Sequence, residues 1–380
     1  MQLPPLSLYI HIPWCIQKCP YCDFNSHTLK TKIDEQSYIK ALLNDLDSQL
    51  KYVQNRSLSS IFFGGGTPSI MSAEAIAQIL QGVQSKIQLA KDCEITLEAN
   101  PGTLDNQKFI GFKQAGVNRF SIGVQSFQAD KLQQLGRIHN PAQAIEAAKL
   151  ASRIGLKSFN LDLMHGLPNQ SVENALYDLE QAIACDPQHI SWYQLTIEPN
   201  TLFASKPPTL PDDDVLWDIQ QQGQALLAQH GYTQYEISAY AKDGYQSKHN
   251  LNYWRFGDYL AIGCGAHAKI SLPEHNKILR FEKIKHPSGY ISAIDYTYKQ
   301  RFVDRDERIF EYFMNRFRLF EACPKKEFAD YTGLELTELS NIFARAKQLH
   351  LIDESQHHWT VSAKGHRYLN ELLELFIDDE

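Results

Sequence analysis

Three of the seven cysteines fall within eight residues, in the run Tyr9-Ile10-His11-Ile12-Pro13-Trp14-Cys15-Ile16-Gln17-Lys18-Cys19-Pro20-Tyr21-Cys22. The other four, Cys93, Cys185, Cys264 and Cys323, are scattered. At this cysteine content, chance yields a C-x3-C-x2-C spacing roughly two times in a thousand. Three thiolates suit three irons of a cubane 4Fe–4S cluster, because soft sulfur ligands favour iron–sulfur sites. The fourth iron is then left without a cysteine, and its open position can chelate a small molecule bearing an amine and a carboxylate. A zinc ion with His11 or His27 as fourth ligand is the alternative that spacing leaves open.

Such a site needs a scaffold, and the pattern up to about residue 200 supplies one. Short β-branched or aromatic runs at 7–12, 60–63, 94–97, 119–122, 158–161 and 190–195 predict strands. Amphipathic stretches lie between them, for example Ile39, Leu42, Leu43 and Leu46, then Ile76, Ile79, Leu80 and Val83. Successive β–α units imply a parallel sheet whose right-handed crossovers curl it into a TIM-like barrel. Six units fall short of eight, so an open, three-quarter (β/α)6 α/β barrel is expected.

In a parallel barrel, chemistry gathers where strands give way to loops at their carboxyl ends. The cysteines follow the first strand. The second ends in Gly64-Gly65-Gly66-Thr67-Pro68, whose glycines let a ligand approach the backbone. The third ends in Glu98-Ala99-Asn100, a carboxylate placed to accept from ribose hydroxyls, and the fourth in Gly123-Val124-Gln125-Ser126. Arg137 follows on the crossover, and the fifth strand carries Asn160 and Asp162. Any one of these is ordinarily a loop residue or a cap. With Thr196-Ile197-Glu198-Pro199 ending the sixth, five polar strand ends surround the cysteine cluster and form a composite signal.

The break Lys206-Pro207-Pro208-Thr209-Leu210-Pro211 closes a first region, residues 1–205. Residues 206–300 read as an aromatic-rich connecting region with short strands. Residues 301–380 turn helical, with Ile309, Phe313 and Phe317 on one side and a hairpin near the end. Helix–helix–hairpin order resembles a winged helix, an α+β domain.

Bulk composition narrows the function class. Hydrophobic residues make up 43% and charged residues 21% of the 380, the proportions of an ordinary soluble protein. The formal charge of −7 offers no global field for nucleic acid. Lys325, Lys326, Arg345, Lys347, Lys364 and Arg367 in the tail are offset by many carboxylates. No signal peptide or membrane-length apolar run is visible, so a cytoplasmic setting with reduced thiols is expected.

The cysteine spacing, the GGGTP run and the six β–α units resemble the radical S-adenosylmethionine superfamily. More narrowly, the stretch from Tyr9 to Cys15, Gly123-Val124-Gln125-Ser126 and Asp162-Leu163-Met164-His165-Gly166-Leu167-Pro168 resemble oxygen-independent coproporphyrinogen III oxidase and its relatives. By matching position, the resemblance places S-adenosylmethionine against Tyr9, Gly65, Gly66, Thr67, Glu98, Gln125, Arg137 and Asp162. In the oxidase several of these serve a second cofactor molecule. The oxidase also carries a further cysteine two residues past the cluster, where this chain has Phe24 after Asp23. That departure puts porphyrinogen decarboxylation in doubt.

The segment His249-Asn250-Leu251-Asn252-Tyr253-Trp254 is similar to the HNxxYW motif of HemW-type heme chaperones. Taken from the residues alone, it is more readily a capping or hydrogen-bonded histidine beside core aromatics. The resemblance implies heme ligated by His249, with His267 in reserve, and heme passed to respiratory apoproteins such as membrane cytochromes. It also implies a transient association with the membrane surface, and leaves a homodimer open. The alternatives carried forward are an authentic radical coproporphyrinogen III oxidase and, third, a nucleic-acid-modifying enzyme.

Overall fold

A computed structural model describes residues 1–377 of the chain. The six expected strands are present and parallel: β1 (Leu6–Ile12), β2 (Leu58–Gly65), β3 (Leu89–Ala99), β4 (Arg119–Gln125), β5 (Ser158–His165) and β6 (His189–Gln194). Along each strand the residues alternate in character. Leu8, Ile10, Ile61, Phe63, Phe120 and Ile122 are fully buried in the main apolar core beneath the crossover helices. Many of the intervening positions are polar, and several bond across the strands. Asn160 Nδ2 reaches Ser121 Oγ at 2.8 Å, and Asn160 Oδ1 lies 2.6 Å from His189 Nδ1. The barrel therefore has an apolar outer face and a polar interior, a period-two pattern imposed by the pleat.

The helices on the outside start where short polar side chains satisfy free backbone N–H groups. Asp34 caps α1 (Glu35–Gln49), Ser72 caps α2 (Ala73–Gln84), Asp105 caps α3 (Asn106–Ala115) and Ser171 caps α4 (Val172–Ala184). Asp178 on α4 accepts from Ser126 Oγ (2.7 Å) and the Phe127 N–H (2.8 Å), fixing the loop that leaves β4.

The region after residue 205 extends the same sheet to twelve strands. The strands β7 (Thr233–Glu236) and β8 (Ala239–Ala241) add antiparallel beyond β6. At the other edge β9 (Asp258–Ile262) lies parallel to β1, followed by antiparallel β10 (His267–Leu272), β11 (Lys277–Lys283) and β12 (Thr297–Phe302). The short helix α5 (Lys248–Trp254), which carries the HNxxYW sequence, precedes β9.

In the C-terminal region, α6 (Arg305–Arg316), α7 (Lys325–Thr332) and α8 (Ser340–Gln348) pack with a three-stranded sheet made by 323–324, 352–354 and 358–361. Its aromatic core centres on Phe313, which meets Phe317, Phe328, Phe343, Trp359 and Phe376 at centroid distances of 4.5–5.6 Å. The expected winged-helix-like order is observed. No helix among the described residues is long and apolar enough to cross a membrane.

Buried charge joins β9 to its surroundings. Asp258 accepts from Arg56 Nη1 (2.8 Å), Lys269 Nζ (3.1 Å), Ser271 Oγ (2.8 Å) and the Ser271 N–H (2.9 Å). Removing the carboxylate strands a buried ammonium, since Lys269 is 1% exposed. Asp258→Ala is expected to cost about 3–5 kcal/mol in urea denaturation; a loss below about 1 kcal/mol contradicts this role.

Candidate functional site

The cysteine loop leaves β1 and is seated on the glycine run that ends β2. The Gly66 N–H donates to Ile12 O (2.7 Å) and the Thr67 N–H to Trp14 O (2.8 Å). A Cβ on Gly66 would stand 2.5 Å from Trp14 O. Gly65 has φ +111°, and a Cβ there would overlap the His11 ring at 2.4 Å. The GGGTP run thus lets two strand ends approach closely, as only glycine permits. Residues 14–15 pair with 27–28 and close the loop bearing Cys19 and Cys22. Its far side is tied down by Asn25 Nδ2, which donates to Cys264 O (3.0 Å) and Lys285 O (2.9 Å). The Gly263-Cys264-Gly265 segment therefore buttresses this loop.

Cys15, Cys19 and Cys22 line one cavity of about 330 Å³ at the carboxyl ends of the strands. Gly65, Gly66, Thr67, Glu98, Gln125, Arg137 and Asp162 line it too. Each thiol has one side-chain partner. Thr67 Oγ1 lies 3.4 Å from Cys15 Sγ, Arg137 Nη1 lies 3.6 Å from Cys19 Sγ, and Ser26 Oγ lies 3.7 Å from Cys22 Sγ. Burial pushes the Cys15 and Cys22 thiols up from their ordinary values.

The remaining polar groups suit a zwitterionic nucleoside. Glu98 accepts the Gly65 N–H (3.2 Å), and burial, then the neighbouring Asp162, push its carboxyl up to about 8. Asp162 accepts from Asn160 Nδ2 (2.7 Å) and Ser121 Oγ (3.0 Å), and burial raises it as well. Arg137 Nη2 donates to Gly123 O (2.6 Å), whereas its buried Nε has no partner. Gln125 sits at φ +69° beyond a bulge in β4 and accepts from Tyr193 Oη (2.9 Å). Such backbone strain at a cavity wall is stored where a side chain must be aimed. These residues fit a 4Fe–4S cluster with S-adenosylmethionine beside it.

Two expected residues lie elsewhere. Tyr9 stands outside the cavity lining, with its hydroxyl 3.1 Å from His11 Nδ1. His11 Nε2 meets the Asn25 carbonyl at 2.8 Å, so Nε2 carries the proton and Nδ1 accepts from Tyr9. Both His11 nitrogens are thus occupied, and His27 Nε2 meets Lys285 O at 3.0 Å. The histidines that a zinc site would recruit are therefore both engaged with other partners.

His249 is the second. It is 1% exposed, on the barrel side of α5, with Nδ1 2.9 Å from Ser60 Oγ and its ring stacked on Phe62 at 4.9 Å. Its backbone N–H donates to Glu94 (3.1 Å), and Asn252 Nδ2 reaches Ser7 Oγ (2.9 Å). The imidazole Nε2 is buried without a partner, and burial lowers the ring pKa to about 3. It does not line the cysteine cavity. His267, the reserve residue, is exposed at the start of β10.

Sequence reasoning missed Tyr193, Ser121 and Ser26. The alternation of Ser191 and Tyr193 with buried Ile190 and Trp192 carried the signal for Tyr193. Ser26 reaches Cys22 only through the fold of the loop.

The raised Glu98 has a testable consequence. A folded-state pKa above the unfolded value contributes stability that is full below about 4.5 and is lost as pH rises towards about 8. Glu98→Gln lacks this loss. In urea denaturation without ligand, the variant is expected to gain on the parent across that window and then level off. A difference that stays constant with pH contradicts the assignment.

Comparison with known proteins agrees with this geometry. Residues 9–180 match the Radical SAM superfamily and residues 303–368 the HemN C-terminal domain. The chain is 59% identical to "Heme chaperone HemW" of Haemophilus influenzae, covering 100% of both chains. It is 57% identical to the protein of the same description in Escherichia coli (99% of each), and 32% identical to that of Bacillus subtilis (98% and 99%). Among solved structures, coproporphyrinogen III oxidase (HemN) from Escherichia coli superposes with a TM-score of 0.83 over 98% of this chain and 90% of that one. At 21% identity that likeness establishes the fold. Full-length identity of this order, together with the cysteine cavity, shows that the chain belongs to the HemW family of radical S-adenosylmethionine proteins.

Proposed function

We propose that this protein is a heme chaperone, which binds heme and passes it to respiratory apoproteins. The observation that carries the reading is end-to-end identity of 57–59% with two proteins described as heme chaperone HemW. A 4Fe–4S cluster on Cys15, Cys19 and Cys22 is its resident group, with S-adenosylmethionine at the open iron. When bound, that pair supplies one-electron chemistry or a regulatory ligand. Arg137 Nε and the Glu98 carboxyl, both buried in the cavity, are the groups left to meet the nucleoside. The setting is cytoplasmic, with transient contact to the membrane that holds the acceptor.

His249 is the proposed axial ligand. Its burial requires α5 to leave its seat before heme iron reaches Nε2. That helix is held on its other side by the C-terminal region, where Arg318 lies 4.3 Å over the Trp254 ring and Arg255 pairs with Glu321 at 2.6 Å. Heme loading is then coupled to loosening of this contact.

Phe24, 60% exposed at the cavity, occupies the position of the oxidase's extra cysteine. Anaerobic incubation with coproporphyrinogen III, S-adenosylmethionine and a reductant is therefore expected to yield no protoporphyrinogen; its formation establishes the oxidase instead. Hemin titration is expected to give a Soret band that His249→Ala loses or shifts. An unchanged spectrum and affinity in that variant contradict His249 as ligand.

A further inference from the structure

The cluster sulfurs are each approached by a side-chain donor from a different part of the chain. Thr67 comes from the end of β2, Ser26 from the end of the cysteine loop, and Arg137 from the crossover after β4. Thr67 and Ser26 are already held through their backbones, by the Thr67 N–H to Trp14 O and the Ser26 N–H to Phe24 O (2.7 Å). Their hydroxyls are free to serve the sulfurs.

In the thiol form either atom of the Ser26–Cys22 pair can donate. With iron bound the sulfur is a thiolate and only accepts, so all three contacts become donations to the cluster. From these contacts we infer that Thr67, Ser26 and Arg137 set the reduction potential of the cluster, each through the sulfur it faces. The inference rests on the cluster reading above.

The physical basis is charge. Reduction adds one electron from a low-potential one-electron donor to the cluster core, and no bond forms or breaks. The added negative charge spreads onto the thiolates, so a hydrogen bond to sulfur stabilises the reduced state more than the oxidised one and raises the potential. The three donors are unequal. A guanidinium donation is charge-assisted and stronger than a neutral hydroxyl's. Arg137 is held in place by Gly123 O, and the Cys19 corner is the most strongly stabilised. Arg137 also lines the cavity with its Nε unpartnered, so the same residue could meet a molecule bound beside the cluster.

The test is a redox titration of anaerobically reconstituted protein followed by electron paramagnetic resonance, without S-adenosylmethionine. Thr67→Val and Ser26→Ala are expected to keep iron and sulfide content while lowering the midpoint, and Thr67→Ser to restore it. Arg137→Gln is expected to lower it most, by a tenfold or greater change in the reduction equilibrium, about 59 mV for one electron. Resonance Raman spectra of the parent in H2O and D2O give a reading that needs no variant. Shifted terminal iron–thiolate stretches are expected in D2O. Stretches that stay put, or hydroxyl variants that retain the cluster and titrate at the parent midpoint, overturn the inference. A parent that assembles no cluster refutes the cluster reading itself.

Discussion

The structure depends on the close approach of two strand ends, β1 and β2, which seats the cysteine loop. Backbone hydrogen bonds from Gly66 and Thr67 to Ile12 and Trp14 hold it, and any side chain at 65 or 66 would collide with His11 or Trp14. A cluster ligand set must be rigid to a fraction of an ångström, because a loose shell forfeits both affinity and electronic control. Here the loop is fixed from below by the glycine run and from the side by Asn25 reaching residues 264 and 285.

The polar lumen follows from the same architecture. In a closed barrel of this kind the interior fills with branched apolar side chains. This open one carries Asp162, Asn160, Ser121 and His189, bonded into a network, with Glu98 beside it on the Gly65 N–H. Water-poor surroundings make each of these groups costly unless it is paired. The partnerless Arg137 Nε and the Glu98 carboxyl, pushed up by burial and by Asp162, are thus the points where a bound molecule has most to contribute. At the other end α5 sits between the strands and the C-terminal region, holding His249 away from solvent.

Much of this was legible in the sequence. The C-x3-C-x2-C spacing located the loop, and alternating apolar runs located six parallel strands, because both signals are local. Two features were not local. The strand β9 pairs with β1 across about 250 residues of chain, and no period-based reading reports such a return. The residues alone read as a hydrogen-bonded histidine beside core aromatics, and His249 is that; which partners bury it, Ser60, Phe62 and Glu94 on two other strands, is not a local signal. Gly64-Gly65-Gly66 read as ligand-approach glycines, and the structure shows that at 65 and 66 they are needed first for backbone packing.

The proposed cubane on three thiolates leaves one iron open to S-adenosylmethionine. Its most direct test is the electron paramagnetic resonance spectrum of the anaerobically reduced protein, recorded before and after adding S-adenosylmethionine labelled with 15N or 17O in its amino-acid end. A single-cluster signal whose g-values shift, with hyperfine coupling to the label, is expected. A spectrum blind to the added molecule, or protein that binds one zinc and neither iron nor sulfide, contradicts the claim.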